Sequence, residues 1–232
     1  MDLPPLQILF EDNHCLAIWK PAGALTTGYT GGEETLDRQV KAYLKEKHGK
    51  PGNVFLGVVH RLDRPVTGVL LFARNSKAAG RLAEQFREGK VTKTYWAIVT
   101  SKFAEPKARL RDWLWKDHLS GVVNVVRPGT PDAKLAELDY EELGRGDCVS
   151  WLAVTPLTGR THQIRVQLAS RSHPILGDIK YQSTHDWPNG IALHARSLTF
   201  QHPIRYEPIT LTAVLPGSWV RGRALGLELP DE

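Results

Sequence analysis

His60 to Leu70, HRLDRPVTGVL, places Asp63 among Arg61, Arg64 and, just upstream, His60. Pro65 stiffens the chain after the carboxylate, and Gly68 permits a turn that a side chain would strain. Val69 to Ala73 is then continuously apolar, as expected of a strand buried on both faces. A carboxylate held in a cationic loop at the edge of a rigid strand is a candidate catalytic group. Read locally, Asp63 also fits a surface pair with Arg61 or Arg64, an arrangement worth little energy.

Working outward, Gln7 to Phe10 and Cys15 to Trp19 are short apolar runs split by Glu11-Asp12-Asn13, the pattern of a hairpin that ends at Lys20-Pro21-Ala22-Gly23. Gly28 to Gly32 is glycine-rich but lacks the Lys-Ser/Thr ending of a nucleotide-binding P-loop. Leu36, Val40, Tyr43 and Leu44 share one helical face over residues 33–48. Ser76 is a candidate cap for a helix carrying Ala79, Leu82, Ala83 and Phe86, with Gly89 at its end. Thr92 to Thr100 reads as a strand, as do stretches near 122–126, 134–142, 149–155, 193–200 and 209–214. His162 to Ser170 mixes two periodicities, and its polar residues, with Thr161 as cap, favour a helix. Many strands and about three helices without strict βαβ alternation predict an α+β fold with a mixed, largely antiparallel sheet. The 232 residues fit a single domain, with a core over about 7–215 and an acidic tail, about 226–232, expected to fray.

Hydrophobic residues make up 41% and charged residues 24%, ordinary values for a folded chain. No run approaches the ~18 apolar residues of a membrane span, and MDLPPLQILF lacks the basic and apolar regions of a signal peptide. A cytoplasmic location is therefore expected. Cys15 and Cys148 have no partner at metal-ligand spacing and read as reduced core residues. The net charge of +5 suits a polyanionic partner. Arg61, Arg64, Arg74, Lys77, Arg81, Arg87, Lys90 and Lys93 outnumber the acids between them, which predicts a phosphate-binding surface. The nine histidines lack a spacing such as HExxH, so His60, His162 and His194 read as structural hydrogen-bonders. Among the seven tryptophans, Trp113 and Trp115 read as core or surface anchors.

Several further blocks follow in order: Lys93-Thr94-Tyr95; Thr158-Gly159-Arg160-Thr161-His162-Gln163-Ile164-Arg165; His173-Pro174-Ile175-Leu176-Gly177-Asp178; and Leu193-His194-Ala195 to Pro203. Together with HRLD and Ala17 to Gly23, this series resembles the RluA/TruC-type RNA pseudouridine synthases over about residues 7–215. Val66-Thr67 departs from the usual residues before Gly68, and Gln167 stands where histidine is frequent. Neither change removes a charged group.

The resemblance implies the pseudouridine synthase fold with a central active-site cleft, no S4 module, and an isomerase that converts uridine in transfer or ribosomal RNA to pseudouridine. It implies Asp63 as the catalytic aspartate, acting at the base, at the sugar carbon or on a sugar proton. Arg160 would pair with Asp63 and keep it ionised. Tyr95 would stack on an extruded uracil, Arg61 would contact the RNA or fill the vacated space, and Lys93 would bind phosphate or brace the site. Locally, Tyr95 also fits a core-facing strand residue, and Arg160 an ordinary helix-end charge. No cofactor or metal is expected, and a monomer is the default. Two rival readings make distinct predictions. A non-catalytic RNA-binding protein on the same scaffold would bind without modifying, and a metal-dependent hydrolase using histidines with Asp63 or Asp178 would carry stoichiometric metal.

Overall fold

The computed structural model describes residues 3–28, 33–49, 51–101 and 103–230. Most of the glycine-rich loop, from residue 29 to 32, lies outside them. The chain starts with β1 (Gln7–Glu11) and β2 (Cys15–Lys20), followed by α1 (Leu36–Lys47), β3 (Gly57–Val58), β4 (Thr67–Ala73) and α2 (Ser76–Arg87). Five strands follow: β5 (Thr92–Thr100), β6 (Lys107–Lys116), β7 (Val123–Val126), β8 (Lys134–Arg145) and β9 (Val149–Pro156). The rest is α3 (Gln163–Ala169), a 3-10 turn at Ile179–Tyr181, β10 (Leu193–Gln201), β11 (Pro208–Thr212), a second 3-10 turn at Gly217–Trp219 and α4 (Val220–Ala224). This is the α+β architecture the periodicities predict. The chain divides into two compact units: residues 1–92 with 195–214, and residues 93–194 with 215–232.

In the first unit the strands run in the order β1-β2-β4-β10, with β11 beside β10 and β3 beside β4. β1 and β2 form the predicted hairpin, and β2 lies antiparallel to β4 with Lys20 opposite Gly68. One face of β2 and β4 presents Cys15, Ala17, Val69, Leu71 and Ala73 to Ala78 and Leu82 of α2 and to Phe200 and Leu211. Alternation sends Leu16, Ile18, Leu70 and Phe72 to the other face, where they are also buried. That double burial is why β4 reads as an unbroken apolar run. The cap of α2 is Asn75 rather than Ser76: its side chain accepts from the Ala78 amide at 2.9 Å, and Ser76 is already helical.

In the second unit the order is β5-β9-β8-β6-β7, and the neighbours pair antiparallel. α3 lies on this sheet, with Val166 packed among Leu114, Val123, Ala136 and Tyr181. The helix expected from residue 162 is present, but Thr161 does not cap it. His162 stands at that position in left-handed conformation (φ 52°), without a side-chain capping bond. At the C-terminus, where fraying was expected, Leu227 and Leu229 are buried. Cys148, expected in the core, is exposed in the turn before β9, whereas Cys15 is buried.

Gly68 explains why the site loop meets β4 as it does. Its φ is +119°, and a Cβ there would lie 2.2 Å from the Ala195 carbonyl oxygen of β10. Gly80 lies within α2, and a Cβ there meets nothing within 4 Å. Gly68→Ala is therefore expected to cost about 3 kcal/mol, the upper end for single changes. Gly80→Ala should instead stabilise by roughly 0.5–1 kcal/mol. Denaturant unfolding of the two variants measures both, and equal effects would refute the close-approach account.

Candidate active site

The loop carrying Asp63 is fixed by its own neighbours in the first unit. Leu62 and Val66 are buried on either side of half-buried Asp63, while Arg61 and Arg64 are exposed. The Val66 amide donates to the Asp63 carbonyl at 3.0 Å, closing a turn around Pro65. Residues 20–26 cradle this turn. The Gly23 amide donates to the Arg64 carbonyl at 2.8 Å, and Arg64 Nε returns a bond to the Gly23 carbonyl at 3.0 Å. The Thr26 hydroxyl donates to the Leu62 carbonyl at 3.2 Å. His60 Nε2 accepts from the Leu71 amide at 2.9 Å, and its ring stacks on Phe86, so it is the structural hydrogen-bonder expected.

Beneath the loop lies Lys20, fully buried. Its ammonium donates to the carbonyls of Arg64 at 3.1 Å, Val66 at 2.8 Å and Pro21 at 2.9 Å. An ammonium has three N–H donors and all three are used. Burial pulls the pKa of Lys20 down to about 7, against the opposing charge of Asp63, which raises it. A strand-end lysine reads as solvated in sequence, because lysine is almost never fully buried without partners. Here two of the three partners are loop carbonyls more than forty residues downstream, which no local pattern reveals.

The second unit holds the other candidates. Tyr95 and Lys93 are half-buried on β5, with Tyr95 opposite Val154 of β9. Burial lowers the pKa of Lys93. Arg160 is exposed in the loop before α3, with Nε donating to the Leu135 carbonyl at 2.9 Å. The buried arginine of this motif is Arg165, 5% exposed. It forks onto Asp178, with Nε at 2.7 Å and Nη2 at 2.8 Å. Its guanidinium also lies over the Tyr181 ring, whose hydroxyl bonds His162 Nδ1 at 2.8 Å. Removing Arg165 would strand a buried carboxylate, which costs several kcal/mol. Both arginines belong to the Thr158–Arg165 block, Arg160 in the loop and Arg165 on α3. No local periodicity marks Arg165 as buried, because every residue from Gln163 to Leu168 is buried around this short helix.

Of the basic residues over 61–93, Arg74 is held by the Asp12 carbonyl and by Glu11, and Arg81 by the Pro203 carbonyl. Arg87 and Lys90 make exposed surface pairs with Glu84 and Glu88, and Arg61, Arg64 and Lys77 are exposed. Asp12, Cys15 and His202 bring potential metal-ligand atoms within 4.8 Å of one another. Hydrogen bonds already occupy the carboxylate and the imidazole. Asp12 accepts from the amides of His14 and Cys15 on one oxygen and faces His202 Nε2 and Arg205 on the other. Burial would raise the Asp12 pKa, but these bonds hold it below the usual range, and burial pushes the Cys15 thiol up to about 12. Such a set clamps two turns together and does not suit a cation.

A family model described as RNA pseudouridylate synthase matches residues 14–170, which span Lys20, Asp63, Tyr95 and Arg165. The chain belongs to that family, and is accordingly an isomerase. It is 33% identical to tRNA pseudouridine synthase C of Haemophilus ducreyi, covering 92% of this chain and 93% of that protein. It is 30% identical to ribosomal large subunit pseudouridine synthase C of Vibrio vulnificus over 89% of this chain, but spans only 64% of that protein. The solved human RNA pseudouridylate synthase domain containing 4 superposes with a TM-score of 0.80 at 26% identity, covering 97% of this chain and 95% of that one.

Lys20 gives a pH test with two opposite signs. Its folded pKa of about 7 lies below the ordinary 10.5, so between these values the unfolded chain binds more protons and its contribution to stability rises with pH. Over the same range deprotonation leaves the amine two N–H donors for the three carbonyls, two of which belong to the Asp63 loop. We expect catalytic rate to fall above pH 7 without loss of thermal stability, and Lys20→Met to be slow and to lack that limb. A wild-type rate flat from pH 6 to 9, matched by the variant, would contradict this role.

Proposed function

We propose that the protein isomerises uridine to pseudouridine in transfer RNA or ribosomal RNA, with Asp63 as the catalytic group. The N1–C1′ bond breaks, the uracil turns, and C5 bonds to C1′. The C5 proton leaves and N1 gains one, so nothing is oxidised and no group is imported. Asp63 acts on the extruded nucleotide. Tyr95 stacks against the uracil and assists removal of the C5 proton, while Arg61, Lys93 and Arg160 contact the RNA. Extrusion costs a few kcal/mol, which phosphate contacts offset.

One observation carries this reading: within the matched family region, the carboxylate-bearing turn is braced by a buried lysine and by paired backbone bonds. Such rigidity suits preorganised catalysis. The near-complete coverage of the Haemophilus ducreyi protein favours transfer RNA among the substrates. Assay is by tritium release from C5-tritiated transfer and ribosomal RNA. Wild type should release tritium, and Asp63→Asn should lose at least ~10²-fold in rate while still binding RNA. Near-normal release by the variant would remove Asp63 from its assigned role.

A further inference from the structure

We propose that the sheet end of the second unit formed by the close of β6 and the start of β8, with the 3-10 turn beside it, grips the phosphate backbone of the RNA. This rests on RNA being the substrate. The two faces of this sheet treat charge differently. On the face turned away from α3, each cation of β6 stands opposite an acid of β8. Lys107 pairs with Glu141 at 2.6 Å, Arg109 with Asp139 at 2.7 Å, and Arg111 with Glu137 at 3.3 Å. That ladder is internally neutral and offers little to a polyanion.

The other grouping is unmatched. Lys116 ends β6, Lys134 begins β8 opposite Leu114, and Arg160 is fixed on the carbonyl of neighbouring Leu135. Lys180 Nζ lies 3.6 Å from where a Cβ on Gly121 would stand, beside the loop joining β6 to β7. All four are exposed, and none has an ion pair among the described residues. Asp178 is neutralised by Arg165. Asp117, whose bonds to the Leu119 amide and the Ser120 hydroxyl leave its charge in place, and Asp132 remain, two carboxylates against four cations.

Like charges gathered on one sheet end repel one another, and a polyanion compensates them. Phosphates at the spacing of a nucleic-acid strand do so, releasing counterions as they bind. Leu119, fully exposed at the loop tip, and Ile179, 78% exposed beside Lys180, place apolar contacts among the lysines. Unstacked bases of an RNA loop or bulge supply the matching surfaces.

The test is a salt titration of RNA affinity by the full chain, using bulk transfer RNA as probe. Each lost phosphate contact lowers the log–log slope by ~0.7–0.9, so Lys116→Gln/Lys134→Gln/Lys180→Gln should lower it by roughly 2. Lys107→Gln/Arg109→Gln should keep the wild-type slope. A folded triple variant with wild-type affinity and slope would overturn the proposal. Tritium release by wild type separates the two readings. A wild type that isomerises RNA while its slope ignores these lysines defeats the surface alone. One that releases no tritium yet shows the slope change defeats the isomerase reading alone. Absence of any RNA binding defeats both.

Discussion

The arrangement around Asp63 depends on a buried ammonium bonded to three backbone carbonyls. Lys20 closes β2 and stands opposite Gly68, the second residue of β4. The loop between those strands would otherwise bury the Val66 carbonyl without a donor, at about 1–3 kcal/mol. Lys20 supplies that donor, adds a second bond to the Arg64 carbonyl that the Gly23 amide already engages, and places a positive charge near Asp63. Gly68 completes the fit, because only a residue without Cβ can pass so close to the Ala195 backbone. The loop is thus built from the strand register upward.

The second unit solves a related problem with a different cation. Arg165 is buried in α3 and forks onto buried Asp178, while Tyr181 lies beneath its guanidinium and reaches His162 and the Val123 amide. A short helix of seven residues is marginal alone. This network, with Val166 in the sheet's apolar cluster, holds it in place. In both units a buried cation is matched by oxygens in fixed directions, the condition under which charge can be kept from water.

The parts legible in the sequence were those carried by local pattern. The β1–β2 hairpin, α1, β4, α2 and β5 follow from periodicity, and the Asp63 loop from Pro65, Gly68 and the apolar run after them. What stayed hidden depends on partners far along the chain. β6 escaped because Arg109 and Arg111 look solvated until the acids of β8 come opposite them. Arg74 read as a phosphate ligand until Glu11 and the Asp12 carbonyl claimed it. Arg160 and Arg165 share one motif, and only the start of α3 at Gln163 separates the loop arginine from the buried one. Lys20 was quoted within a motif but read only as the end of a hairpin. Its three acceptors become visible only in three dimensions.

Amide hydrogen exchange on wild type and Lys20→Met tests the central claim most directly. The Gly23 amide is bonded to the Arg64 carbonyl and the Val66 amide to the Asp63 carbonyl, so both report on the loop. Loss of Lys20 should speed exchange at these two amides while Ile98, bonded to the Ala192 carbonyl in the other unit, stays protected. Unchanged protection at Gly23 and Val66 in the variant would show that the loop holds itself and that the buried lysine does not support Asp63.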